Sequence, residues 1–294
     1  MQYVLMDLEW NGSYSKRAHG YFNEIIEIGA TKLDENLQKI GSFHYMIKPV
    51  VSKKITNIVT DLTGIEASTL EDGGTFSEAI AALKAFVPKN AAVLTWSNTD
   101  LLVLVENCRF FFKRERIPFL GFYADAQAYC QPRIAGDVPA GQQLGLAKAA
   151  ELLGISQEGL DAHRAVDDSE LTARIFAATF DKSSFDAFVK RTDEDFYKRL
   201  LYKPHFISHV GNPLVKPEYL TFECPECGKK LQAQSKWRYS GRMLCADMPC
   251  SCGKKYVGRV QIKVLYDDVA VRRKLTEAKP KEKTETEEPE QQEA

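Results

Sequence analysis

Apolar residues dominate three consecutive segments near the start of the chain. The segments are "YVLMDLEW", "EIIEIGATKLD" and "GSFHYMIKP", and the turn-like "ENLQ" separates the second from the third. Runs of this length, bounded by turn residues, are typical of β-strands. Three strands in direct succession predict an antiparallel meander.

Helical and strand-like patterns alternate after the meander. "FSEAIAALKAFV" places apolar residues three and four positions apart, which predicts a helix that ends before Pro88. The following segments predict the strands "AAVLTW" and "FLGFYADAQ" and the helices "DLLVLVENCRFFFKRE", "LGLAKAAELLG" and "AVDDSELTARIFAATF". The order βββαβαβαα predicts an α/β fold, with a mixed five-stranded sheet that carries helices on its faces.

The pattern changes near residue 184 and predicts further parts of the chain. We expect one large domain over residues 1–183, followed over residues 184–218 by an amphipathic helix, at about residues 184–202, and a proline-containing linker. A compact cysteine-containing module is predicted over residues 219–275. Residues 276–294 hold no aliphatic residue other than alanine, so they cannot bury a core and are expected to be disordered.

Charge is distributed unevenly along the chain. Residues 1–180 hold 17 basic and 22 acidic side chains, residues 181–276 hold 19 and 11, and residues 277–294 hold 3 and 7. The formal net charge of −1 therefore hides an acidic N-terminal part and a basic C-terminal part. A basic block of this kind suggests nucleic acid as a partner.

Hydropathy and cysteine usage indicate the compartment. No apolar stretch approaches the roughly 18 residues of a membrane span, and acids fall where a signal peptide would be apolar. We therefore expect a cytoplasmic protein without a membrane partner. Five of the seven cysteines lie between Cys224 and Cys252, which in a reducing compartment favours a metal site over disulfides.

Two acidic residues end the first predicted strand. Side chains two positions apart in a strand point to the same side, so Asp7 and Glu9 are expected to converge. Two carboxylates held together repel each other and raise each other's pKa unless a cation lies between them. A solvated strand end is the plainer interpretation of the pair, and the remaining acids decide between the two.

Further candidate residues follow later elements. Asp100 comes where a helix should start after "VLTW", and "HRAVDD" carries His163 and Asp168 at the start of the last core helix. A spacing of five residues is about 140° around a helix, so His163 is expected in the loop before the helix and Asp168 inside it. Four acids and a histidine suit phosphodiester hydrolysis, in which two divalent metals activate water and stabilise the leaving oxygen. Hard oxygen ligands favour Mg²⁺ or Mn²⁺.

The conjunction D-x-E, a later Asp at a strand end, and H-x-A-x-x-D resembles the DEDDh 3′→5′ exonucleases. This group includes RNase T, the proofreading epsilon subunits and the RNA 3′-end trimming enzymes, and the resemblance covers roughly residues 1–180. It implies an RNase H-like fold and hydrolysis of nucleic acid from the 3′ end to nucleoside 5′-monophosphates. It also implies two metal ions at Asp7, Glu9, Asp100 and Asp168, with Asp100 acting directly or through water, and His163 as the general base.

The residues beside the D-x-E pair depart from the family pattern. Many relatives carry a threonine after the pair, whereas this chain has Trp10 and Asn11. Trp10 is a candidate for stacking on a terminal base, which is worth roughly 1–3 kcal/mol, and a core position is the alternative. Leu8, between the two acids, is the second candidate for substrate binding.

The C-terminal cysteines have the spacing of a zinc ribbon. "CPECGKK" and "CSCGKKY" each resemble a zinc knuckle, and the predicted ligands of a structural Zn²⁺ are Cys224, Cys227, Cys250 and Cys252. Cys245 is the alternative fourth ligand. A thioredoxin-type redox pair is the alternative for "CPEC", but that motif should open a helix after a buried strand.

The cysteine module is strongly basic. Residues 224–274 hold 12 basic and 4 acidic side chains, with Trp237, Tyr239 and Tyr256 among them. Interleaved cations and aromatic rings suit single-stranded nucleic acid, so the module is expected to hold the strand whose 3′ end is cut. A solvated surface and a protein-docking module are the alternatives. The choice between RNA and DNA stays open, as do a proofreading role beside a polymerase and an inactive nucleic-acid-binding adaptor.

Overall fold

The computed structural model describes residues 1–52, 54–134 and 142–278. Within them the chain forms two compact units, Met1–Leu201 and a second unit that begins at Tyr202. No helix in this described part of the chain has both the length and the apolar character needed to cross a membrane.

A mixed sheet forms the centre of the first unit. Its strands are β1 (Tyr3–Ser15), β2 (Gly20–Leu33), β3 (Lys39–Met46), β4 (Ala92–Thr95), β5 (Phe122–Asp125) and β6 (Lys190–Arg191). Their spatial order is β3-β2-β1-β4-β5-β6. The first three strands form the predicted antiparallel meander, and β4 and β5 run parallel to β1. The sheet thus has one strand more than the five expected, because two-residue β6 is too short to leave a periodic signal.

Helices lie on both faces of this sheet. They are α1 (Asn57–Thr63), α2 (Phe76–Phe86), α3 (Thr99–Phe112), α4 (Ala126–Cys130), α5 (Leu146–Leu152), α6 (Ala165–Thr179), α7 (Lys182–Phe188) and α8 (Glu194–Leu201). Short 3₁₀ turns cover Ser68–Leu70 and Gln131–Arg133. One core joins Val4, Met6 and Leu8 of β1 to α2 and α3, and the other joins Tyr3 and Leu5 to α5 and α6. Alternation along β1 thus sends successive side chains to opposite helical layers.

One predicted helix is wrong. The segment 184–202 forms the end of α7, then β6, then α8, rather than a single helix. β6 pairs with the edge of β5, and Asp193 Oδ1 accepts a hydrogen bond from Phe196 N at 2.9 Å, which caps the start of a new helix. A tertiary contact and a local cap therefore interrupt an amphipathic pattern that continues across both helices.

The second unit is a β structure. Its strands are β7 (His205–Phe206), β8 (Phe222–Glu223), β9 (Lys230–Leu231), β10 (Arg238–Ser240), β11 (Met243–Pro249), β12 (Lys255–Val264) and β13 (Val269–Glu277). The order is β10-β11-β12-β13, with β7 also paired to β12, while β8 and β9 form a separate hairpin.

The segment 184–218, expected as a helix and linker, is divided between the two units. Residues up to 201 belong to the first unit. In the rest, β7 extends the sheet and Ile207 is buried in the core of the second unit, ahead of a 3₁₀ turn at Pro217–Leu220. The segment has the proline content of a linker, but β7 pairs with β12 and Ile207 packs into the core of the second unit. The expected disordered tail falls largely outside the described residues, and β13 extends to Glu277.

Candidate active site

Asp7 and Glu9 lie on β1 and point toward α6. Their neighbours Met6 and Leu8 are buried in the core on the opposite side of the sheet. In the antiparallel register, Asp7 lies opposite Gly29 and Glu9 lies opposite Glu27. The two-residue period of a strand thus places both carboxylates on the face that α6 covers.

Asp100 reaches the same region from β4 and α3. β1 pairs with β4 only from Tyr3 to Leu5, which leaves the later amide groups of β1 on that edge available for other partners. Asp100, the second residue of α3, is only 7% exposed, and its Oδ1 accepts a hydrogen bond from Leu8 N at 3.2 Å. This bond holds the third carboxylate beside the first two.

His163 and Asp168 complete the cluster from the start of α6. His163 lies two residues before the helix with φ of 61°, a left-handed conformation that histidine adopts more readily than most residues. The backbone N–H of His163 donates a hydrogen bond to Asp168 Oδ2 at 3.1 Å. Ligand atoms of Glu9, His163 and Asp168 all lie within 4.8 Å of one another. The turn before α6 therefore brings an exposed imidazole to the edge of a carboxylate cluster.

A glycine allows α6 to approach the sheet this closely. A Cβ atom at Gly29 would lie 2.1 Å from the carbonyl carbon of Ala165 and 2.2 Å from Val166 N, in the first turn of α6. One turn further on, Ser169 Oγ lies 3.1 Å from Thr31 Oγ1 of β2, and both side chains are buried. Close backbone contact thus sets the depth at which Asp168 enters the site.

Glu27 anchors the start of α6 to β2, a role that the sequence did not predict. Its carboxylate is fully buried and accepts hydrogen bonds from Arg164 Nη2 at 2.9 Å and from Ala165 N at 3.2 Å. His44 Nε2 lies 2.7 Å from the same carboxylate. An acid on β2 therefore satisfies an amide at the start of α6 and complements the positive end of the helix. The available signal was a glutamate inside the otherwise apolar "IIEIGA".

Burial and mutual repulsion shift the pKa values of the cluster upward. Burial, followed by the charges of Asp100 and Asp168, raises the pKa of Asp7 well above its ordinary value. Burial and the charge of Asp168 raise the pKa of Glu9 to about 8. Burial raises the pKa of Asp100 to about 7, against the opposing hydrogen bonds from its own amide and that of Leu8. Added positive charge would lower these pKa values and favour joint ionisation of the carboxylates near neutral pH.

The two residues expected to bind substrate lie largely in the core. The Leu8 side chain is 2% exposed, so the structure lends no support to its expected contact with a nucleotide. Trp10 is half-buried and packs against the same core, while a bulge in the β1–β2 register falls between Glu9 and Trp10. Stacking by Trp10 stays a prediction.

A second candidate site lies in the cysteine module. The sulfurs of Cys224, Cys227, Cys250 and Cys252 lie within 4.8 Å of one another. Cys245 is outside this group and points from β11 with its Sγ 3.9 Å from Met243 O. In the described chain, Cys224 leads through a turn into β9 rather than into a helix, unlike a thioredoxin-type pair.

The thiols of the cysteine cluster differ in acidity. The amides of Lys229 and Lys254 favour the thiolates of Cys227 and Cys252, but hydrogen bonds with Cys250 together with burial outweigh them, so that the pKa of Cys227 is raised to about 11 and that of Cys252 is raised as well. Burial alone would raise the pKa of Cys224, yet hydrogen bonds from Tyr256 and from the amides of Glu226 and Cys227 lower it to about 6. The Cys224–Cys252 and Cys227–Cys250 sulfur distances are 3.7 and 3.5 Å. Tetrahedral ligands with Zn–S bonds of about 2.3 Å would be separated by about 3.8 Å. The donor set therefore fits one zinc ion.

Comparisons with known proteins agree with this geometry. The family model of the RNase T group, described as Exonuclease, matches residues 4–176. The chain is 30% identical over 178 residues to the probable 3′-5′ exonuclease KapD of Bacillus subtilis, covering 59% of this chain and 82% of that protein. It is also 30% identical over 181 residues to a PolC-type DNA polymerase III of Clostridium perfringens, covering 62% of this chain but only 11% of the polymerase.

Solved structures show the same fold. The nuclease domain of 3′hExo, a DEDDh family member bound to rAMP, superposes with a TM-score of 0.52 at 18% identity, covering 65% of this chain and 96% of that one. Cell-death related nuclease 4 superposes with a TM-score of 0.50 at 17% identity, covering 69% and 72%. The predicted RNase H-like fold, with a mixed sheet between helical layers, is thereby confirmed.

Proposed function

The chain belongs to the exonuclease family, and on that premise we propose a metal-dependent 3′→5′ exonuclease that shortens single strands. Its products would be nucleoside 5′-monophosphates. The observation that carries the proposal is the convergence of Glu9, His163 and Asp168 within 4.8 Å, beside the buried carboxylates of Asp7 and Asp100. Three separate elements of the fold supply these five side chains.

The carboxylates suit divalent cations. Asp7, Glu9 and Asp168 would hold two Mg²⁺ or Mn²⁺ ions, with Asp100 binding directly or through water. Hard oxygen donors fit these ions, and the raised pKa values indicate a cluster that requires positive charge. When bound, such a pair activates the attacking water and stabilises the leaving oxygen of the phosphodiester.

His163 would accept the proton of the attacking water. Its side chain is exposed at the edge of the cluster, where an imidazole can both reach water and release the proton to solvent. The hydrogen bond that the backbone amide of His163 donates to Asp168 and the anchoring of Arg164 by Glu27 orient the turn that carries the imidazole. Trp10, which follows Glu9 on β1, would stack on the terminal base.

Labelled oligonucleotides test the proposal. Single-stranded RNA and DNA carrying a 5′ label are incubated with the full chain and Mg²⁺ or Mn²⁺, and we expect a ladder of products that shorten from the 3′ end. Asp7→Asn should lower kcat/KM by about 10²-fold or more, because it removes one charge from the cluster. Asp61→Asn, which removes the same charge from an exposed side chain of α1, is the matched control. Cleavage that is unchanged in Asp7→Asn would refute the assignment.

Two other functions are distinguished by the same assay. The likeness to PolC-type polymerases favours a proofreading role, and a preference of about tenfold or more for a mismatched over a matched primer end would support it. An inactive adaptor predicts tight binding without cleavage of either substrate. The complete set of four acids and a histidine supports the enzyme over the adaptor.

We also propose a structural zinc ion in the second unit. Its ligands would be the thiolates of Cys224, Cys227, Cys250 and Cys252, which lie on two knuckles. Each knuckle is closed by a hydrogen bond that a glycine amide donates to a cysteine carbonyl, Gly228 N to Cys224 O and Gly253 N to Cys250 O. The hairpin β8–β9 carries the first knuckle and contributes few buried side chains. Metal binding would therefore contribute directly to folding of this part of the chain.

A further inference from the structure

The sheet of the second unit has one apolar and one polar face. Alternate residues of β11 and β12 are buried in a core that includes Leu244, Val260 and Ile262, and partly buried side chains of β13 pack against it. The opposite side chains form what we call the outer face, and its charged members are Arg238, Asp247, Lys255, Arg259, Lys263, Arg272 and Lys274. Arg272 and Lys274 are exposed, and Arg259 and Lys263 are half-exposed.

Strand register places three of these cations in one row. Arg238 lies opposite Cys245, Cys245 opposite Arg259, and Arg259 opposite Lys274, so one row crosses four strands. At a strand separation of about 4.8 Å, this row is about 14 Å long. Arg272, two positions from Lys274 on the same face, begins a neighbouring row about 7 Å away.

The outer face carries an excess of positive charge that the sheet itself does not neutralise. Among the described residues of β10 to β13, its one acid is Asp247, which pairs with Arg238 at 3.4 Å. Arg259 and Lys274 lie directly opposite each other, and like charges in that position destabilise a sheet. A polyanion bound across the face would offset this repulsion, because both cations would be attracted to it.

The face offers few aromatic surfaces for reading bases. Tyr256 is only 5% exposed on the inner side, and Trp237 packs against the same inner core. Tyr239 pairs with Leu244 and so belongs to the inner side as well. The interleaved aromatic residues expected from the sequence therefore do not line the basic surface. Phe206 lies at its end, opposite Lys263, where Arg242 covers its ring at 5.5 Å.

We propose that the outer face binds the phosphate backbone of single-stranded nucleic acid, with no dependence on base sequence. The proposal rests on the proposed function in taking the exonuclease substrate as its ligand. A row of cations that crosses four strands, with further cations beside it, fits an extended chain of phosphates better than a single small anion. Binding of this kind is electrostatic, so its affinity falls steeply with salt.

The test compares two variants of the full chain that each lose two positive charges. Arg272→Gln with Lys274→Gln changes the outer face, and Lys84→Gln with Lys89→Gln, two exposed lysines of the first unit, is the matched control. Both are made with Asp7→Asn, so that binding is measured without turnover and independently of the catalytic proposal. Zinc content and thermal melting show that each variant is folded.

The readout is fluorescence anisotropy of labelled 20-nucleotide RNA and DNA strands over a range of salt concentrations. We expect the outer-face variant to bind about fivefold or more weakly at low salt, equally for different sequences. Its slope of log affinity against log salt should be smaller by about 1.4, from about 0.7 per lost phosphate contact. Affinity and slope equal to those of the control variant would overturn the proposal. The proposal would also be overturned if the chain bound anionic lipid vesicles or polyglutamate but no oligonucleotide, and the outer-face variant lost that binding.

Discussion

Gly29→Ala tests whether the depth of α6 against the sheet controls catalysis. The added Cβ would lie 2.1 Å from the Ala165 carbonyl carbon, whereas ordinary contact begins at 3.4 Å. The start of α6 must therefore move by about 1.3 Å, which is 3.4 − 2.1. The obstacle is backbone, so no side-chain rotation can relieve it. Overpacking of this kind costs about 1–3 kcal/mol of folding free energy.

The displaced turn carries both His163 and Asp168. A misplacement of about 1 Å in a catalytic group can lower the rate by about 10²-fold, and we expect a loss of that order in kcat/KM. Strand propensity alone predicts the opposite effect on stability, since alanine in a strand is favoured over glycine by roughly 0.5–1 kcal/mol. The direction of the change therefore separates the tertiary contact from local propensity.

The assay is single-turnover cleavage of a 5′-labelled oligonucleotide, with the apparent Mg²⁺ requirement measured in parallel. Gly20→Ala is the matched control, because a Cβ at Gly20 meets no atom within 4 Å. Circular dichroism and thermal melting establish that both variants are folded at the assay temperature. A folded Gly29→Ala variant with kcat/KM within about threefold of the wild type would refute the reasoning.

Two further predictions concern the anchor of α6 and the cysteine cluster. Burial alone would raise the pKa of Glu27, but hydrogen bonds from His44, Arg164 and the Ala165 amide lower it below its ordinary value of 4.5. Its ionised form therefore stabilises the fold above pH 4.5, and this contribution is lost as the pH falls through the lowered pKa. Glu27→Gln should cost about 1–3 kcal/mol in denaturant unfolding near neutral pH, with the difference from wild type shrinking below pH 4.5; a difference independent of pH would contradict the assignment. Cys224→Ser should abolish the single zinc ion measured by mass spectrometry of the purified chain, whereas Cys245→Ser should retain it; equal zinc content would exclude Cys224 as a ligand.

Local periodicity accounts for what could be predicted about the fold. The meander, α2, α3 and α6 follow from patterns that repeat within a single segment. The helix expected over 184–202 was wrong because pairing of β6 with β5 interrupts it. The linker expected before the cysteine module was assigned by its prolines, but pairing of β7 with β12 makes it part of the second unit.

For the candidate site too, features within one element could be predicted from the sequence, whereas contacts between remote elements could not. The sequence determined that Asp7 and Glu9 share one side of β1, because side chains in a strand repeat every two residues. The motif order identified Asp100, His163 and Asp168 as their partners. No motif spacing predicted a role for Glu27, because its partner Arg164 lies 137 positions away along the chain. Likewise, the aromatic residues counted among the cations of the cysteine module proved to point away from the basic face.

The sequence by itself thus predicted which residues carry chemistry, and it determined how neighbours along one element are oriented. Tertiary structure decided how those elements come together. It brings Gly29 into contact with the first turn of α6 and places the carboxylate of Glu27 at the start of that helix. It also aligns a row of cations across β10 to β13. The physical reason is that side-chain direction follows from backbone periodicity, whereas the distance between elements follows from packing among residues remote in the chain.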